Sequence, residues 1–90
     1  MVIQKEIKDA VESQIELLIT QLTTYLPFVK IAFPYSKDLS EACYSLIAGN
    51  ALSVFLNQYA MRMKYPGNED FTEFAKIVAK HRAEIDAFFK

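Results

Sequence analysis

The chain has a single cysteine, Cys43, and only two glycines in 90 residues. One thiol excludes an internal disulfide, and a chain without disulfides fits a reducing, cytoplasmic compartment. Two isolated glycines, Gly49 and Gly67, exclude the glycine-rich loops that cradle phosphates. Charge of one sign is lacking too. Ten basic and eleven acidic residues leave a net charge of −1 and are dispersed along the chain. No block of like charge marks a nucleic-acid arm or a polybasic anchor, and no nucleic acid is expected as a partner. The nearest approach to a basic patch is Arg62 with Lys64, Lys76 and Lys80. The opening residues, MVIQKEIKDAVE, mix charges where a signal peptide would run apolar.

The longest absence is internal. Residues 42 to 61, ACYSLIAGNALSVFLNQYAM, contain no Asp, Glu, Lys or Arg. Twenty such residues have the length of a membrane span, which needs about 20 apolar positions. They do not have its character. Ser45, Asn50, Ser53, Asn57 and Gln58 would each need a partner in hydrocarbon, at several kcal/mol when unpaired (roughly 2–7). Charged residues also lie close to both ends. The segment reads as the central helix of a small soluble bundle, with no membrane span.

What is present is apolar material in excess. The composition is 52% apolar, with seven Phe and five Tyr. A domain of this size buries only about 60% of the surface its unfolded chain exposes, so its interior is small. The surplus implies a contact with another chain or a ligand pocket.

Helical periodicity dominates. Ile3, Ile7, Val11, Ile15, Leu18, Leu22 and Tyr25 recur at three- and four-residue steps, with Lys5, Glu6, Lys8, Asp9, Glu12 and Glu16 opposite, predicting a helix over 4–23. In TYLPFVKIAFPYS, Val29, Ile31 and Phe33 alternate like a strand, but a lone strand has no pairing partner. A short connecting helix is expected instead, capped by Thr24, with Pro27 in its first turn and Pro34 beyond its end. Asp38 with Glu41 resembles a capping box that opens the central helix. Arg62 and Lys64 suit its negative end, and Pro66-Gly67-Asn68 stops it. Asp70 with Glu73 repeats the start signal, and Phe71, Phe74, Val78, His81, Ile85 and Phe88 form one seam of a last helix over 71–89. The expectation is a single all-α domain over residues 1–90, a small helical bundle of three long helices plus a short connecting one.

Laid out at about 100° per residue, the central helix has two unlike arcs. One is bulky: Cys43, Tyr44, Ile47, Leu52, Val54, Phe55, Tyr59 and Met61. The other holds Ala42, Ser45, Gly49, Asn50, Ser53, Asn57 and Ala60, small and faintly polar, with Leu46 and Leu56 intruding. A solvent-facing arc ordinarily carries Lys and Glu. Ser45, Gly49 and Ser53 at four-residue spacing let another helix approach closely, a geometry best known from membrane helices. Two readings remain open. The arc packs on another helix of the same chain, or it meets its own copy across a two-fold axis with Asn50 and Asn57 bonding across it. The expected interface residues are Ser45, Gly49, Asn50, Ser53 and Asn57.

No constellation carries chemistry. His81 stands at a core-type position without a Glu-x-x-His or His-x-x-x-His companion, so a hydrogen-bonded structural imidazole is expected and no metal site. Cys43 reads as a buried, inert thiol, and no catalytic residue is assigned. The aromatics offer the alternative: Tyr25, Phe28, Tyr44, Phe55 and Tyr59 converging on a pocket for an apolar or aromatic small molecule. Otherwise they are core. The function expected is a non-catalytic protein-interaction or regulatory module, a homodimer or a binder of another helical protein, without a cofactor. Small-molecule binding or sensing is the alternative.

Overall fold

The computed structural model describes residues 3–89. Among them there is no strand. Five helices follow one another: α1 (Lys5–Thr20), α2 (Leu22–Ala32), α3 (Leu39–Met61), α4 (Asn68–Ala79) and α5 (Arg82–Phe88). The bundle is all-α as expected, but divided differently from three long helices and one short. It measures 38 × 22 × 21 Å. That is little more than the length of α3 alone, about 34 Å at 1.5 Å per residue. Each of the other four helices packs on α3.

The core is a meeting of ridges. Ile7, Val11 and Ile15 step by four along α1, and Cys43, Ile47, Ala51, Phe55 and Tyr59 step by four along α3. Ile3 ahead of α1, Leu22 and Val29 of α2, Phe74, Ile77 and Val78 of α4, and Ile85 of α5 complete it. Phe55, fully buried, stacks on Phe74 at 4.6 Å between ring centroids and tilts against Tyr59 at 4.9 Å. Each such side chain contributes about 1.5–3 kcal/mol through burial.

The chain turns sharply where no glycine or proline announces it. α1 and α2 meet at 80° across Gln21, whose φ −92° and ψ 5° end the α-helix while its N–H still bonds to Leu17 O at 3.1 Å. The corner carries Leu22 into the core. It also corrects the expected cap: α2 starts at Leu22 with Gln21 as N-cap, not at Thr24. Pro27 therefore lies past the first turn, and the exposed Thr23 carbonyl loses its usual donor to solvent.

The start of α3 is as expected. Asp38 Oδ1 accepts from the Glu41 N–H at 3.1 Å. The Glu41 carboxylate does not return the bond but takes Arg82 Nη2 at 2.5 Å instead. At the other end, Met63 N–H bonds to Ala60 O and Lys64 N–H to Tyr59 O, each at 3.0 Å. This is a Schellman ending, with Met63 at φ 55° in the left-handed position usually given to glycine.

Two further expectations are corrected. Asp70 does not cap α4. The cap is Gly67, which has no side chain to offer, so Asp70 supplies only the reciprocal bond, its Oδ2 accepting from Gly67 N–H at 2.8 Å. The predicted last helix is also interrupted at Lys80 and His81. Lys80 there pairs with Glu12 of α1. The break re-aims α5 onto the start of α3, where Arg82 meets Glu41 and Ser40 donates to Asp86.

Phe55→Ala is expected to destabilise the fold by about 3–5 kcal/mol, a large share of what a small domain possesses. Phe28→Ala, at a half-exposed position, should stay within about 0.5 kcal/mol. Urea unfolding followed by circular dichroism reads both, and equal effects would mean that the core is misplaced. Met63→Gly should raise stability by about 1 kcal/mol, because glycine has no Cβ to strain in the left-handed region. An unchanged or lower urea midpoint would contradict that ending of α3.

Candidate interaction surface

All five residues expected at an interface, Ser45, Gly49, Asn50, Ser53 and Asn57, lie on the exposed side of α3. A Cβ added at Gly49 would meet nothing within 4 Å. The reading in which this arc packs on another helix of its own chain is therefore corrected. The other four helices reach α3 from the side of the Cys43–Tyr59 ridge and leave the opposite side uncovered.

That uncovered side is shaped. Over its N-terminal half runs an open groove of about 670 Å³, walled by Phe33 and Ser36 of the α2–α3 connector and floored by Ala42, Ser45, Leu46, Gly49 and Ser53. Beyond it lies half-exposed Leu56. A second, largely apolar hollow of about 490 Å³ lies at the C-terminal end of the helix, between Leu56 and Ala60 of α3 and Met63, Tyr65 and Pro66 beyond it. Charges appear only at the two ends, Asp38 and Glu41 at one and Arg62 and Lys64 at the other.

Asn50 does not wait for a partner subunit. Its Oδ1 accepts from Gln14 Nε2 at 2.9 Å, tying α3 to α1 at the edge of the face. Asn57, also expected to bond across an interface, is exposed.

By length and composition α3 is long and apolar enough to cross a membrane, with mean hydropathy 1.3 over its best window, of which 22% is buried in the fold. The bent pair α1 and α2 passes the same test if counted as one segment.

The structure does not gather the five candidate pocket aromatics. Phe55 and Tyr59 are in the core stack with Phe74. Tyr44 lies under the Arg82 guanidinium, 4.5 Å from its centroid. Tyr25 donates its hydroxyl to Leu18 O at 2.8 Å, and Phe28 is 57% exposed. The physical reason is the corner at Gln21, which sends α2 away from the middle of α3. It turns Phe28, Ile31 (78% exposed) and Tyr35 outward as exposed apolar side chains.

The groups examined for chemistry are held structurally. The His81 ring is buried at the α4–α5 break, Nδ1 against Glu84 Oε1 at 2.9 Å. Its Nε2 is buried without a hydrogen-bond partner among the described residues. Burial pushes the Cys43 thiol up, away from the thiolate that a nucleophile needs. Among the described residues no three of His, Cys, Asp and Glu stand close enough to hold a metal ion. No protein-family model, curated protein or solved structure matches this chain.

Two phenols should titrate late. Tyr25 is pushed up to about 12, first by burial and then by the neighbouring Cys43 thiolate, and Tyr59 is raised by burial and by Asp70. In each the folded state prefers the neutral phenol. That contribution to stability is whole below the ordinary tyrosine value near 10 and is lost as pH rises above it, for Tyr25 as pH rises to about 12. An ultraviolet titration should show two of the five tyrosines ionising only as the helical signal collapses. Five phenols titrating together near pH 10 in a still-folded chain would contradict this placement.

Proposed function

We propose that this chain is a non-catalytic protein-interaction or regulatory module that works through helix–helix contact and associates as a homodimer by the outer face of α3. One observation carries the reading: from residue 42 to residue 61 that face is exposed, uncharged and grooved, with open space over Gly49. A helix face kept in water normally carries Lys and Glu. Depletion of charge at the centre with charge at the rim is the anatomy of an interface. The groove over Gly49 gives the backbone of another helix room for close approach.

The small-molecule alternative has less behind it. The groove has the volume of many ligand sites, about 300–1,000 Å³, but such sites enclose most of their ligand and this one lies open along a helix. The amide and hydroxyl side chains along the same face favour water or a polar-rimmed protein contact over hydrocarbon. A cytoplasmic setting agrees with the single buried thiol.

Sedimentation equilibrium over a hundredfold range of concentration tests the reading, with a mass of twice 10.3 kDa expected. Gly49→Leu should weaken association by about tenfold or more, the effect of roughly 1.4 kcal/mol, while helical content stays as it is because the site is open. A variant that dimerises like wild type would sink the proposal. So would a monomer at every concentration, and a monomer that floats with phosphatidylcholine vesicles would replace it with a membrane-surface role.

A further inference from the structure

We propose that the exposed end of α2 docks on an anionic lipid surface, with Phe28, Ile31 and Tyr35 entering the headgroup layer and Lys30 and Lys37 meeting its acidic groups. This surface is separate from the outer face of α3, and the proposal does not rest on the homodimer reading.

Side-chain placement comes first. α2 is anchored through Leu22 and Val29, both fully buried. At about 100° per residue, Ile31 lies opposite Val29, with Phe28 about 60° round one side of it and Lys30 about 100° round the other. Ile31 is 78% exposed, Phe28 57%, and Tyr35, in the turn after the helix, 94%. Thr24 and Pro27, on the same side of α2, are exposed as well. The end of α2 thus holds bulky apolar side chains in water, outside any groove of the chain.

Charge then selects the partner. From Leu17 to Lys37 there is no Asp or Glu, and the only charges are Lys30 and Lys37. Both lysines are exposed. Lys5, Lys80 and Arg82 each pair with a carboxylate, whereas among the described residues Lys30 and Lys37 form no ion pair. The surface asks for an occupant that is apolar and anionic at once. A second copy does not answer, because two such ends face to face set lysine against lysine with no acid between them. Protein interfaces are also depleted in Lys. A membrane surface takes both features. Lysine stems lie along apolar material while their ammonium groups stay with the headgroups, tyrosine settles at headgroup level, and the negative cytoplasmic leaflet attracts the cations.

The length of the helix fixes the mode. The 11 residues of α2 make about 16 Å, half of the roughly 30 Å of a hydrocarbon core. α2 is therefore suited to lie on the surface and not to cross it, while Leu22 and Val29 stay in the bundle.

Flotation of the full chain with vesicles tests the proposal. One set is phosphatidylcholine alone, and the other carries roughly one-third phosphatidylserine to supply the anionic surface. The chain should float with the second set and stay behind with the first. Phe28→Gln with Ile31→Gln should abolish flotation, with circular dichroism showing the helices intact because both positions are exposed. Lys30→Gln with Lys37→Gln should weaken binding about twenty-fold, at roughly fivefold for each lysine near an anionic surface. Lys5→Gln with Lys76→Gln removes the same charge elsewhere and should leave flotation unchanged. No flotation with either set would overturn the proposal and leave an acidic protein surface as the occupant. Equal flotation with both sets would overturn it, since the lysines would then play no part. Flotation of the Phe28 and Ile31 variant like wild type would move the contact off α2, and a matching loss in the Lys5 and Lys76 variant would reduce it to net charge. Each of these overturns the proposal. Sedimentation reads the homodimer separately, so either reading can fail without the other.

Discussion

The buried ridge of α3, Cys43, Ile47, Ala51, Phe55 and Tyr59, is the constraint on which the rest of the structure depends. A chain of 90 residues has little interior, and this one gathers it along one side of one helix. Burying those side chains is worth several kcal/mol in sum at about 25 cal/mol per Å², enough to draw every other helix to the same side. The consequence is geometric. With α1, α2, α4 and α5 all leaning on that ridge, no other described helix remains to cover the reverse of α3. The exposed face is the counterpart of how the core is built.

The two corners serve the same constraint. At Gln21 the chain bends by 80°, and Leu22 and Val29 enter the core where a straight continuation would have carried them past the end of α3. At Lys80 and His81 a second break lets Ile85 stay buried while Arg82 and Asp86 reach the first turn of α3. Arg82 bonds to both Glu41 and Asp86 and covers the Tyr44 ring. These are surface pairs of small individual value, typically under about 1 kcal/mol. Held in a network around one guanidinium, they fix the angle at which α5 closes the N-terminal end of the bundle.

Most elements were legible in the sequence because their signals are local. The steps of Ile7, Val11 and Ile15 and the Asp38 cap each act within a few residues, and each is where the sequence places it; the expected stop at Pro66-Gly67 is not, because α3 already ends at Met61 and leaves Arg62 and Lys64 beyond its last turn. The corners were not legible, because Gln21 and Lys80-His81 contain no residue that breaks a helix by itself. Packing elsewhere decides them, and once Gln21 turns, the Thr24 cap and the aromatic pocket have no geometry left to support them. The interface candidates were legible as composition. Their outward orientation was not, since the same small residues would suit a tight contact inside the chain. Ala51 shows the converse: a small residue grouped with neither arc lies fully buried in the middle of the ridge.

Gly49 is where these considerations meet. Glycine in a helix interior costs about 1 kcal/mol relative to alanine, and structures generally keep it for one of two reasons. One is a backbone angle that other residues avoid, and Gly49 does not have a positive φ. The other is a neighbour too close for a methyl group, and here the chain places nothing within 4 Å. Neither reason exists within a single copy. In the proposed dimer a second helix over Gly49 would supply the missing one, and it would account at the same time for the absence of Lys and Glu from residue 42 to residue 61 and for the groove beside Phe33. The fold explains what lies beneath α3, and the uncharged residues left facing outward are the ones the proposed helix contact would cover.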